Sequence, residues 1–139
     1  MLIKQLSVFI QDEEGRLAEI CELLGENSIN IKGFTVSDTA EGYGIFRLLT
    51  DDYEKASDLL MNKGFTVSQN EVIAAKIPNL PGGLANVLKI FSENSINVEY
   101  MYATAGTLIA FKLNNNEKAI KALKQTGIEI VSRSEFISM

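Results

Sequence analysis

Along the chain, apolar positions switch between a period of two and a period near 3.6, in an order that recurs. Residues 2–10 alternate, with Leu6, Val8 and Ile10 on one face, which predicts a half-buried strand. Leu17, Ile20, Cys21 and Leu24 then fall at i, i+3, i+4 and i+7. That spacing predicts a helix whose apolar stripe, Cys21 included, packs into a core. Strands are expected at 30–37 and 43–49, joined by a hairpin that turns at "TAEG" (39–42). A second helix runs through Ala56, Leu59 and Leu60 to a C-terminal Gly64, and a strand is expected at 65–69.

The whole series then repeats. The pentapeptide "ENSIN" occurs at 26–30 and again at 93–97, and 14–31 ("EGRLAEICELLGENSINI") lies over 81–98 ("PGGLANVLKIFSENSINV") at an offset of 67. Two short deletions bring 43–49 over 108–114 and 54–67 over 117–130, matching Phe46 to Phe111 and Gly64 to Gly127. The second copy is thus expected to have strands at 72–77, 97–104, 107–113 and 128–133. Its first helix carries Leu84, Val87, Leu88 and Phe91, and its second Ala119, Ala122 and Leu123. The order is βαββαβ twice. The predicted class is α+β, with two tandem ferredoxin-like domains, 1–70 and 71–139, antiparallel sheets and helices on one face. In the tail, "EFIS" (135–138) echoes "EVIA" (71–74), so the last strand is expected to run on and pair with another chain in a homodimer.

Composition narrows the function. A chain of 139 residues with 46% hydrophobic content can build real cores. No apolar run reaches a membrane span and the N-terminal residues do not look like a signal peptide, so a cytoplasmic location and no membrane partner are expected. With 13 basic against 18 acidic residues, a net of −5, the chain lacks the positive field of a nucleic-acid binder. "EGYGIFRL" (41–48) partly imitates the third-strand signature of an RNA-recognition motif, but Glu41 replaces the basic residue and the second copy has no such run. There is no histidine and one cysteine, Cys21, so imidazole catalysis, an intramolecular disulfide and thiolate metal clusters are excluded. The acidic groups Asp12, Glu13, Glu14 and Asp51, Asp52 fall in loops without a base or metal framework. No catalytic residue, metal site or cofactor is expected, and the chain is not read as an enzyme.

Candidate binding chemistry lies between the first strand and first helix of each copy. A glycine there permits a tight approach, and a helix begins with unpaired N–H groups. The amides of Gly15 and Arg16, and of Gly82 and Gly83, are candidates to receive a carboxylate. Asp12 and Asn79, just before, offer side-chain oxygens to an ammonium group.

Small βαββαβ units with an "N-x-P-G-x-L" loop after the first strand and an Ile-Asn-Ile/Val step into the second resemble ACT domains. The second copy, "NLPGGLANVLKIFSENSINVEYM", is close to that pattern throughout. The first keeps the glycine and Ile-Asn-Ile but has Asp12 for Asn79 and Glu14 for Pro81. The resemblance covers essentially the whole chain and implies a regulatory protein binding a small ligand, usually an amino acid, at an interface between paired ACT domains. Similar serine-binding domains use asparagines at the positions of Asn79 and Asn97, which in the first copy are Asp12 and Asn30. The histidine of that kind of site has no counterpart, because Ile10 and Ile77 occupy its position. Purely structural readings stand beside these: Gly15 and Gly82 as turn glycines, and Asn30 and Asn97 as left-handed helix ends. A metabolic enzyme is a candidate partner, and the alternative function is a ligand-free structural or oligomerising partner of such an enzyme.

Overall fold

The computed structural model describes residues 2–11, 13–38 and 41–139. The chain divides into two compact units, one over Lys4–Asn70 and one over Glu71–Ile137, with Ile3 grouping with the second. The first unit contains β1 (Ile3–Gln11), α1 (Arg16–Glu26), β2 (Ile31–Asp38), β3 (Tyr43–Thr50), α2 (Tyr53–Asn62) and the start of β4 (Thr66–Lys76). Its strands lie in the order β2-β3-β1-β4, with β3 antiparallel to both β1 and β2. Alternation along β1 turns Leu6, Val8 and Ile10 to the helices, where Ile20 and Leu24 of α1 and Ala56 and Leu60 of α2 complete a buried core. Full burial of a side chain such as Leu24 contributes roughly 1.5–3 kcal/mol.

The second unit repeats the plan with the rest of β4, then α3 (Gly83–Glu93), β5 (Val98–Ala103), β6 (Leu108–Leu113) and α4 (Asn116–Gln125). Its strands run β4-β6-β5, all antiparallel. Val87, Ile90 and Phe91 of α3 pack with Ile73, Phe111 and Leu123, and the Phe91 and Phe111 rings meet edge-on at 5.2 Å. The second helix of each unit is capped alike. Asp52 accepts from the Lys55 amide and Asn115 from the Lys118 amide, both at 3.1 Å. Both units are therefore βαββαβ-type, with helices on one face of antiparallel strands.

Three expectations need correction. The strands expected at 65–69 and 72–77 are one, β4, because no glycine or proline interrupts the polar Ser68–Glu71 between them. At the C-terminus, the strand expected at 128–133 shrinks to an isolated bridge, Ala75 with Ile130. The tail beyond it is a helix, α5 (Arg133–Ser138), rather than a strand reaching for another chain. Ser132 accepts from the Glu135 amide at 3.3 Å while the Glu135 carboxylate receives the Ser132 amide at 3.4 Å, a capping box that starts this helix. Thirdly, the α1 stripe is narrower than its period suggests. Ile20 and Leu24 are buried, but Leu17 and Cys21 are exposed. Partial desolvation pushes the Cys21 thiol above its ordinary pKa, so it stays protonated at neutral pH.

Candidate functional site

The loop between the first strand and first helix has the same backbone in both units. Gly15 and Gly82 each take φ of 84° at the helix N-cap, a left-handed conformation that disfavours any residue with a Cβ. The helices start from their carbonyls, which accept from Glu19 and Asn86 at 2.9 Å. Among the described residues, no backbone group accepts from the Gly15 or Gly82 amide. The next position differs. The Gly83 amide donates to the Leu80 carbonyl at 2.9 Å, whereas the equivalent Arg16 amide is 3.5 Å from the Glu13 carbonyl. A Cβ on Gly83 would overlap the Pro78 carbonyl, so the second loop is closed too tightly for the arginine of the first. Asp12 lies outside the described residues, and Asn79 is exposed.

Beside the first loop is a pocket of about 550 Å³, formed where β1 ends, β4 begins and α1 and α2 present their termini. Phe9, Tyr43 and Phe65 supply aromatic walls, and the Phe9 and Tyr43 rings lie 6.4 Å apart at 56°. Phe9 remains 39% exposed, although its strand neighbours Val8 and Ile10 are buried. Two cations line the same space, Arg16 and Lys63. Glu13 and Glu19 hold the Arg16 guanidinium from two sides, each at 3.3 Å, through Nη2 and Nη1. Such exposed pairs add little stability, but they orient a five-donor group beside the pocket. The Tyr43 hydroxyl donates to Glu41 at 3.2 Å; this hydrogen bond and the carboxylate's charge raise the phenol above its ordinary pKa.

Asn30 and Asn97 are not at these loops. Gln11 pairs with Tyr43 at one end of β3, while Ile31 pairs with Thr50 at the other. Seven residue steps of strand put Asn30 roughly 24 Å from the Gly15–Arg16 loop. In the second unit, Ile77 donates to Thr107 near the loop, whereas Asn97 exchanges bonds with Asn114 at the far end. Both asparagine side chains are exposed, and their backbones do the pairing. Asn30 donates its amide to the Asp51 carboxylate at 3.0 Å, and Asn97 donates to the Asn114 side chain at 2.9 Å. The helix-end role expected of them belongs to their neighbours. The Asn27 and Asn94 side chains donate to the Leu23 and Ile90 carbonyls at 2.8 Å, and Ser28 and Ser95 take the left-handed φ values of 62° and 56°.

The repeated loop, the repeated helix exit and the strand order all point to one kind of module. A family profile describing the ACT domain pair matches residues 1–139. The chain belongs to the ACT domain pair family. Among solved structures, a Bacteroides thetaiotaomicron protein matches at 32% identity and a TM-score of 0.93, over 100% of this chain and 98% of that one. The ligand-free regulatory subunit of aspartate kinase from Thermus thermophilus has the same fold at 17% identity and a TM-score of 0.66, covering 88% and 90% of the two chains. Aspartokinase III of E. coli, crystallised with lysine and aspartate, matches 90% of this chain with 30% of its own length, at 19% identity and a TM-score of 0.51. No curated protein matches the chain in sequence.

Within this ACT pair, both positions at which the resemblance expects a histidine are apolar, and Ile10 also lines the pocket. Ile10 and Ile77 are 8% and 6% exposed and pack under the helices. Of the residues singled out in sequence, Ile10 and Arg16 line the pocket and Gly15 is the backbone neighbour of Arg16. Phe9, Tyr43, Lys63 and Phe65 were not singled out. Phe9 carried a signal, being a large aromatic on the polar face of an alternating strand. Tyr43 carried another, as the aromatic of the imitation RNA signature. Lys63 and Phe65 only flank the Gly64 helix end and had none. Among the described residues, no group of acidic, cysteine or histidine side chains is arranged to hold a metal, and no helix is long and apolar enough to cross a membrane.

Proposed function

We propose that this ACT pair is a regulatory module that binds a small ligand, an amino acid, and transmits its occupancy to a metabolic enzyme. The observation that carries the reading is the first-unit pocket, where Arg16 and Lys63 flank an aromatic wall next to the left-handed Gly15 loop. Two cations, Arg16 held by its glutamates, suit a ligand carboxylate, and a concave wall of rings suits its side chain. Asp12 and the Glu13 and Glu41 carboxylates are the groups to meet its ammonium. The lysine and aspartate bound by the E. coli aspartokinase support the ligand class. In the second unit, Asn79 and Gly82 form the corresponding loop, and Gly83 serves its closure. Asn30 and Asn97, distant from their own loops, contribute only where a loop of another module faces them.

A homodimer is part of the same reading. β2 and β5 are the outermost strands of their units, and they expose Phe34 at 61%, Val36 at 47% and Met101 at 40%. Bare strand edges flanked by large apolar side chains need cover. Light scattering should give twice the chain mass, and Phe34→Lys should lower it; a strict monomer at high concentration excludes the dimer.

The experiment for ligand binding is a thermal-shift panel of the twenty amino acids. A ligand at about a hundred times its dissociation constant stabilises by roughly 2.7 kcal/mol, on the order of 5–15 °C for a chain of this size. No shift from any of the twenty at millimolar concentration would favour a ligand-free structural partner instead.

A further inference from the structure

The two units are copies, yet their pocket positions have diverged in a consistent direction. Phe9 corresponds to Lys76, Tyr43 to Leu108 and Phe65 to Ile128, so no aromatic wall survives in the second unit. Both cations are replaced as well, Arg16 by Gly83 and Lys63 by Thr126. Thr66 corresponds to Glu129, and the Lys76 ammonium meets the Glu129 carboxylate at 3.0 Å while the Lys76 amide donates to the Glu129 carbonyl at 2.9 Å. The second unit thus joins by an ion pair the two strand positions that line the pocket in the first. Gly83 also sits so close to the Pro78 carbonyl that no side chain fits where Arg16 stands in the first unit.

We infer that only the first unit binds, and that its ligand is a carboxylate bearing an aromatic ring, of which the aromatic amino acids are the commonest. This rests on the regulatory reading above and narrows it. Phe9 leaves 39% of its surface open beside Tyr43, and two tilted rings at the pocket wall can be joined by a third in stacked or edge-on contact. At about 550 Å³ the pocket falls within the usual size for small-molecule sites, and serine-sized ligands would leave most of it to water. Among the described residues, Arg16 gives one Nη to each carboxylate partner, and its planar fork has further N–H groups to offer a ligand carboxylate. Lys63 lines the pocket on one side and, on the other, a small recess shared with Glu19, Glu22 and Glu26. A ligand with a small polar side chain, or a flexible one without a ring, leaves the aromatic wall without a stacking partner.

Titration calorimetry on the intact chain tests this with L-phenylalanine, L-tyrosine, L-tryptophan, L-serine, L-lysine and phenylacetate. At least one aromatic amino acid should bind at one per chain and at least tenfold more tightly than serine or lysine. Phe9→Ala should weaken it about tenfold, the scale of a lost ring contact with its buried area. Lys76→Ala should leave it unchanged. If circular dichroism shows Phe9→Ala unfolded, Tyr43→Leu, which installs the second unit's residue, carries the same test. Serine or lysine binding most tightly, or two equal sites per chain, overturns the inference and leaves the regulatory reading standing. Phenylacetate binding at one per chain, with every amino acid inert, upholds the aromatic carboxylate and sinks the amino-acid reading alone. Silence from all six overturns the inference.

Discussion

The Ile29 amide donates to the Leu24 carbonyl at 2.9 Å, reaching back over a left-handed Ser28. Ser28 in turn donates to Gly25 at 3.1 Å, and both Ile29 and Leu24 are buried in the first core. This is a Schellman ending with its hydrophobic contact. Ile96, Phe91, Ser95 and Ser92 repeat it in the second unit at 2.8 and 3.1 Å. Helices α2 and α4 end the same way with Gly64 and Gly127 at the left-handed position. "ENSIN" is therefore the serine version of a helix exit that the chain builds four times.

A serine at that position pays for its Cβ, which glycine avoids. Ser28→Gly and Ser95→Gly should each stabilise the protein by roughly 0.5–1 kcal/mol. Chemical denaturation reads this directly. A loss of that size in both variants would mean the serine hydroxyls hold the turn rather than tolerate it.

The two loops should respond oppositely to a methyl group. Gly83→Ala drives a Cβ into the Pro78 carbonyl and should cost about 2–4 kcal/mol. Arg16→Ala, at the equivalent position, removes only exposed ion pairs and should cost less than about 1 kcal/mol. Equal losses would mean that the loops are not closed differently.

At the far end of each unit, the side chain that matters is the acceptor. Asp51→Ala and Asn114→Ala orphan the amides of Asn30 and Asn97 and should each cost on the order of 1 kcal/mol. Asn97→Asp keeps its backbone pairing and should shift stability by less than about 0.5 kcal/mol. If Asn97→Asp proves the more damaging, its side chain has a structural partner.

Most of the fold was legible because the chain is written twice. A weak strand such as 72–77 gains support from its stronger counterpart at 2–10, and a helix is confirmed by a second stripe. The same reliance on the repeat misled the tail reading. "EFIS" resembles "EVIA", whereas Ser132 and Glu135 form a capping box that needs no counterpart. Periodicity also overstated the α1 core, since a stripe fixes an angular position and not its neighbours. Leu17 and Cys21 lie at its edge, beyond cover.

The site was legible only in part. Gly15 and Arg16 follow from loop chemistry, which is local. The aromatic wall comes from three segments, β1, β3 and the entry to β4, and their meeting depends on strand order. Asn30 is a candidate through the resemblance to serine-binding domains, whose ligand lies at an interface between paired domains. Strand direction places it at the opposite end of β3.

The most direct measurement is an amide NMR titration of the labelled protein with the amino acid that gives the largest thermal shift. Saturable perturbations should centre on Gln11, Arg16, Lys63, Gly64 and Thr66, the groups around the first-unit pocket. The amides of Lys76 and Glu129 should stay fixed, and Arg16→Ala should abolish the response with the rest of the spectrum intact. Perturbations centred on the second loop, or a spectrum unchanged by all twenty amino acids, would contradict a ligand-binding first unit.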